Sequence, residues 1–323
     1  MTDKMKNIQD RKSVIDEIEK LLLTKLVTNE ESTIDRNKLV ETYMLGGREA
    51  IEKVAKSLDW IYFRVTLGEL KAHYFLSHYY LPILEKLDLD QNNWWYIEKY
   101  DEGGVHLRIR ILATLEQLND ILLLEKHIKA VKGVKHVNRL IYEPELRIFG
   151  GKNGLELAHD FFSADSKFIT KWYEIREGNL SGLKGLSLFF IRKLLVSSYL
   201  DPFEQWDVWN NIYSQRCYIP DENLNLDYFN NWLGKIYQIE EEHIDNLFPT
   251  KQEQECIKNY LNFLNDFGKR LYTDYQNGEI QRGVRAFLSA VILFHWNRIG
   301  LDYYTQAGIS RALMLKQDPL TNK

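Results

Sequence analysis

The stretch "VHLRIRIL", residues 105–112, alternates apolar and basic side chains without a break. Successive side chains of a strand point to opposite faces, so His106, Arg108 and Arg110 share one face while Leu107, Ile109 and Ile111 share the other. The aliphatic face needs a core to pack on. The basic face cannot be buried without partners and must meet solvent, carboxylates or an anionic ligand. "WWYIEKY" (94–100) precedes it across "DEGG", a hairpin signal. This pair makes a sheet obligatory, with a cation-bearing face on it. The plain alternative is a solvated face neutralised by acids such as Glu98.

The surrounding pattern predicts α+β, with an antiparallel sheet from the first half and a helix-rich second half. "WIYFRVTLG" (60–68) reads as a strand, and "LKAHYFLSHYYLPILEKL" and "LEQLNDILLLEKHIKAV" read as helices. "NRLIYEPELRIFGG" (138–151) reads as a strand carrying Pro144, hence an edge or bulge. From about 155 onward helices dominate, and "YIPDENLNLDY" (218–228) is the best loop. Before residue 58 the periodicity predicts a helical prelude. It comprises 13–27, a helix stopped at Gly46-Gly47, and "REAIEKVAKSL". The expected division is 1–58, a helical extension, and 59–323, the α+β domain.

With 323 residues, 45% of them hydrophobic, the chain has ample material for a core. A net charge of −4 gives no basic field of the kind nucleic acid calls for. Two cysteines without metal-type spacing, a polar N-terminus and no apolar run of membrane length lead to the expectation of a cytoplasmic protein, without signal peptide, membrane contact or metal. Phosphate-loop, dinucleotide and serine-hydrolase motifs are absent. Aromatics make up 13% of the chain, which suits peptide recognition or simply a tyrosine-rich core.

Two further stretches carry candidate chemistry. In "YEPELRIFGG", strand alternation would group Glu145, Arg147 and Phe149, and Glu145 would hold a strand arginine in a bidentate pair. In "FHWNRIG", His295 and Arg298 share a helical face, which makes His295 either a satisfied core residue or a general acid or base. "HD" at His159-Asp160 has no partner motif and is set aside as a metal pair.

Taken in order, "WWYIEKYDEGGVHLRIRI", "YEPELRIFGGKNGLELAHDFFSADS" and "FHWNRIG" resemble the C-terminal elimination domain of lantibiotic dehydratases. That domain is also found as free-standing proteins of thiopeptide biosynthesis. The resemblance spans roughly residues 60–300. It implies removal of glutamate from a glutamylated Ser or Thr of a precursor peptide, leaving a dehydroamino acid. Arg108 and Arg110 would then bind the anion, Glu145 would orient or act as base, and His295 would do acid-base work. His106, Lys99, Arg147 and Arg298 would line the substrate site.

The sequence departs from the family pattern twice. Lys99 stands where the pattern has an arginine. Ile148 stands where Y-x-P-E-x-x-R-Y-G-G has its arginine, with Arg147 one residue early. An isoleucine cannot bind a carboxylate, and one lost charge-assisted contact costs roughly 2 kcal/mol or more. The resemblance extends to a sister branch, the thiopeptide pyridine synthases, which need no glutamate pocket. These join two dehydroalanines of an azole-bearing peptide by a formal [4+2] cycloaddition and expel water and leader peptide. On that reading Trp94, Trp95, Tyr96 and Trp296 would stack on azoles, and the helical prelude would contact the leader. The expectation is therefore a pyridine-forming macrocyclase. A glutamate-eliminating lyase and a non-catalytic precursor-binding subunit are the alternatives. Its partners would be a leader-bearing precursor peptide and other maturation enzymes. No cofactor is implied, and a homodimer is left open.

Overall fold

A computed structural model describes residues 58–318, apart from 102, 103, 181, 217, 218 and 237, together with a few scattered earlier positions. The expected helix at 13–27 and nearly all of the prelude lie outside the described residues. The stop expected at Gly46-Gly47 is not found: both glycines are helical and neither has left-handed backbone. The chain divides into one unit of Met1–Asp59 with Thr114–Leu118 and a second of Trp60–Ala113 with Asn119–Lys323. In the first, Thr114 and Gln117 close a reciprocal capping box. The site described below belongs wholly to the second.

Strand β1 (Leu58–Leu67) leads into α1, built from Ala72–Phe75, a π-type turn over Leu76–Tyr80, and Leu81–Lys86. Then come β2 (Trp94–Asp101), β3 (Gly104–Thr114), α2 (Leu118–Lys129) and β4 (Val134–Leu140). The sheet order is β2-β3-β1-β4, and the β2–β3 and β1–β4 pairs are antiparallel. This is the split βαβ arrangement. The "DEGG" hairpin forms with Asp101 opposite Gly104, whose φ of +90° an L side chain would resist.

Register sorts the two faces. Trp94 pairs with Ile111, Tyr96 with Ile109 and Glu98 with Leu107. The aliphatic and aromatic members of these pairs join Phe63, Val65 and Leu67 in a core closed by Phe75, Leu76 and Tyr80 of α1 and Ile121, Leu124 and Ile128 of α2. Trp95 pairs with Arg110, Ile97 with Arg108 and Lys99 with His106, on the opposite face. Glu98 thus points away from the basic row and cannot neutralise it.

The second half is helical: α3 (Lys152–Ile175), α4 (Leu183–Ser197), α5 (Pro202–Ser214), α6 (Leu226–Ile236), α7 (Lys251–Gln276), α8 (Val284–Arg298) and α9 (Tyr303–Lys316). Asp201 with Glu204 and Thr250 with Glu253 close capping boxes that start α5 and α7. α8 buries Val284, Phe287, Leu288, Val291, Ile292 and Trp296 and forms the centre of the helical core. Trp95 and Ile97 reach into this same core from the sheet. The loop expected at 218–228 is shortened, because Asp221–Asn223 forms a 3-10 turn and α6 starts at Leu226. Among the described residues no helix is long and apolar enough to cross a membrane.

The strand expected over 138–151 ends at Leu140. Ile148 N–H donates to Glu145 O, and Gly151 N–H donates to Leu146 O, so 145–151 is a run of turns. Gly150 (φ +75°) presses so near Arg282 that a Cβ would lie 2.7 Å from its backbone nitrogen. The strand alternation expected for Glu145, Arg147 and Phe149 therefore does not apply.

Candidate functional site

The basic row of β3 is only partly solvated. Arg110 is 7% exposed, and its guanidinium lies 4.1 Å from the ring centre of Trp95, 4.5 Å from Tyr62 and 5.2 Å from Tyr142. Trp95 is its cross-strand partner, Tyr62 belongs to β1, and Tyr142 hangs from the loop after β4. A desolvated guanidinium between aromatic faces gains cation–π attraction of about 2 kcal/mol or more. Burial nonetheless lowers its pKa to about 10, with Tyr142 and Tyr62 opposing the shift. One amino group donates to the Arg108 carbonyl at 3.2 Å, and Nε has no hydrogen-bond partner.

Around this box the cations accumulate. Arg108 Nε donates to His106 Nε2 at 3.4 Å. Lys99 is held below its ordinary pKa by burial and then by Arg108 and Arg216, with Glu145 acting the other way. Arg216, just beyond α5, donates from Nε to Gln306 Oε1 at 2.7 Å and lies over the Tyr303 ring. Glu145 is exposed, and no ion pair within 4 Å joins it to a described cation. The expected bidentate pair is thus replaced by aromatic packing of Arg110. Arg147 and Ile148 sit in the adjacent turn, with Ile148 36% exposed.

Behind the box stands His159 of α3. Its Nε2 lies 2.8 Å from the Tyr142 hydroxyl, and its ring is 4.7 Å from Trp60. Burial, then Arg110, lowers His159 to about 4, so the ring is neutral at pH 7. Burial raises Tyr142 to about 12, so the phenol keeps its proton.

His295 and Arg298 belong to a second, deeper network. Asp165 accepts from Tyr260 Oη and His295 Nδ1, both at 2.8 Å, and from Arg298. Burial alone would raise the Asp165 pKa, but His295 and Arg298 outweigh it and bring it below the ordinary value. Ser187 Oγ lies 2.8 Å from His295 Nε2 and accepts from Trp296 Nε1. Ser187, His295 and Asp165 have the connectivity of a hydrolytic triad. They are 1%, 2% and 0% exposed, so no substrate carbonyl reaches the serine. Arg298 Nε donates to the Tyr96 carbonyl, and Tyr96 N–H donates to Ser166 Oγ. Phe162 separates this seam from the box, 4.9 Å from Trp95 and 4.6 Å from the Arg298 guanidinium.

Of the sequence candidates, Lys99, His106, Arg108 and Arg110 come together with Trp95. Trp94 and Tyr96 are buried on the opposite face of the sheet and Trp296 in the helical core, so none can stack on a substrate ring. His295 and Arg298 are buried one ring layer away. Sequence reasoning missed Tyr62, Tyr142, His159 and Arg216. Tyr142 opens the YEPELRIFGG stretch and His159 stands beside Asp160 like half of a metal pair, but neither pattern marks their meeting; Arg216 has no local signal. Among the described residues no three His, Cys, Asp or Glu side chains gather as a metal would require.

The fold and site together define an α+β protein whose sheet presents a cation-rich, aromatic-walled face. Residues 60–314 match the family described as "Lantibiotic biosynthesis dehydratase C-term", and the chain belongs to that family. Nisin biosynthesis protein NisB of Lactococcus lactis subsp. lactis is 26% identical over 170 residues, which are 50% of this chain and 16% of NisB. The tRNA-dependent lantibiotic dehydratase MibB from Microbispora sp. 107891 superposes with a TM-score of 0.59 at 16% identity, over 82% of this chain and 28% of MibB. TsrL gives 0.54 at 15% identity, over 81% of this chain and 96% of TsrL. The pyridine synthase TbtD from thiomuracin biosynthesis gives 0.52 at 12%, over 80% and 99%. At these identities the structural likenesses speak for the fold. The chain spans well under a third of NisB and of MibB.

Proposed function

We propose that the chain is a peptide-maturation enzyme that forms a pyridine macrocycle from a precursor bearing azoles and two dehydroalanines, with loss of leader and water. The observation that carries this reading is Ile148. It sits part-exposed in the 145–149 turn, where the glutamate-eliminating pattern has an arginine; the cations at this turn are Arg147, one residue early, and Arg282, which donates to the Arg147 carbonyl. A cyclase needs only a surface that brings two alkenes of one peptide together, which is mainly entropic work. Half-buried Tyr142 beside Arg110, with part-exposed Arg108 and Lys99, offers such a surface for carbonyl-rich peptide, backed by the buried rings of Trp95 and Tyr62. Likeness to TbtD supports it at the level of fold.

Glutamate elimination is the second reading. It is favoured by the gathering of cations, Lys99, Arg108, Arg110 and Arg216, with Glu145 the described carboxylate that acts on Lys99 and Arg110. One experiment separates the two. The protein is incubated with a leader-bearing peptide carrying azoles and two dehydroalanines, and with a peptide carrying glutamylated serine, and masses are read. The cyclase predicts loss of leader plus water from the first peptide. Loss of glutamic acid from the second, with the first unchanged, overturns it. If neither reacts but both bind, the chain presents substrate to another enzyme.

A further inference from the structure

The pair Tyr142 and His159 has no part in either reading as so far stated. Its placement is specific. Tyr142 is half-buried at the rim of the aromatic box, its ring 5.2 Å from the Arg110 guanidinium, while His159 lies behind it, buried against Trp60 and Trp95. The 2.8 Å contact between phenol oxygen and imidazole Nε2 fixes the hydroxyl relative to the guanidinium. Beside it, Arg110 Nε is a buried donor without a hydrogen-bond partner among the described residues. Nε itself is closed to solvent, so an incoming acceptor meets the part of Arg110 that stays accessible, 7% of the residue, next to the half-buried Tyr142.

We infer that Arg110 and Tyr142 form a two-donor oxyanion site for a carbonyl oxygen of the bound peptide, with His159 as the positioning residue. In this arrangement His159 Nε2–H donates to the phenol oxygen. The phenolic hydrogen is then left to point outward, polarised by the donation it receives. No proton leaves Tyr142, because burial holds it in the neutral form. Preorganised donors of this kind act where charge develops on oxygen. Loss of an α-proton in elimination and polarisation of the amide in cycloaddition both place charge on a peptide carbonyl. The inference rests on taking this face as the reaction site, and it serves either substrate.

The test uses three variants on whichever of the two peptides the unmodified protein converts. Tyr142→Phe keeps the ring beside Arg110 and removes one donor, so kcat should fall about 100-fold with KM within about threefold. His159→Leu should lower kcat by a similar factor, and His159→Gln, which can still donate to the phenol, should restore most of it. A Tyr142→Phe protein that turns over at the normal rate overturns the inference. Equal losses in His159→Leu and His159→Gln overturn the positioning role. Conversion of the glutamylated peptide alone overturns the cyclase reading while leaving this test in force. If neither peptide reacts, both fall.

Discussion

Arg110 and Asp165 are both buried charges, yet they belong to different economies. Arg110 trades hydration for three aromatic faces and retains an unsatisfied Nε, so attraction and penalty are of similar size. Arg110→Met should leave stability within about 1 kcal/mol of wild type while abolishing peptide conversion, read by calorimetry and mass spectrometry. Asp165 holds His295, Arg298 and Tyr260 at once. Asp165→Ala strands a buried arginine and should cost roughly 3–5 kcal/mol, seen as a lower denaturation midpoint. At this scale the sequence was informative where alternation decides the matter: His106, Arg108 and Arg110 do share a face. It did not bring Tyr142 to His159, whose contact joins a loop to a helix 17 residues on. No pattern of spacing encodes that meeting.

Elements were legible where periodicity runs long. The β2–β3 hairpin, β1 and the helices of the second half follow from alternation, aromatic content and 3.6-residue spacing. The 138–151 segment misled because "LRIF" alternates like a strand. Pro144 supplies no N–H, and Gly150 and Gly151 take positive φ, so the backbone turns instead of pairing. The edge of β2 was also invisible in the sequence. Both main-chain polar groups of Tyr96 are satisfied by side chains, the N–H by Ser166 Oγ and the carbonyl by Arg298 Nε. Ser166→Ala should leave the Tyr96 amide without its partner and speed its hydrogen exchange, while the amides of α2 keep their protection. Unchanged exchange at Tyr96 would mean the edge is held by something other than this bond.

Over the whole molecule, two buried histidines set the acid limit. Burial lowers both His73 and His159 from 6.5 to about 4, and the His73 Nε2 donates to the Arg298 carbonyl. Their folded pKa lies below the unfolded one, so the unfolded chain binds more protons between pH 6.5 and 4. Stability is therefore complete above about pH 6.5 and falls as pH drops, by about 3 kcal/mol per histidine when titration is complete. Thermal melts at pH 7.5 and 5 should differ by several degrees, and His159→Gln should reduce that difference. A melt that is flat over this range contradicts the burial of both rings. Asp165, depressed by its partners, adds its loss only as pH falls below about 3.8.

The packing of Arg110 has a consequence for association. A surface arginine gives up as much as about 2 kcal/mol of rotamer freedom when it grips a ligand. Between Trp95, Tyr62 and Tyr142 that freedom is already surrendered during folding. Peptide arriving at this face therefore meets a guanidinium that loses almost no entropy on capture, and its affinity there should be sensitive to the rings that hold the arginine as much as to the arginine itself.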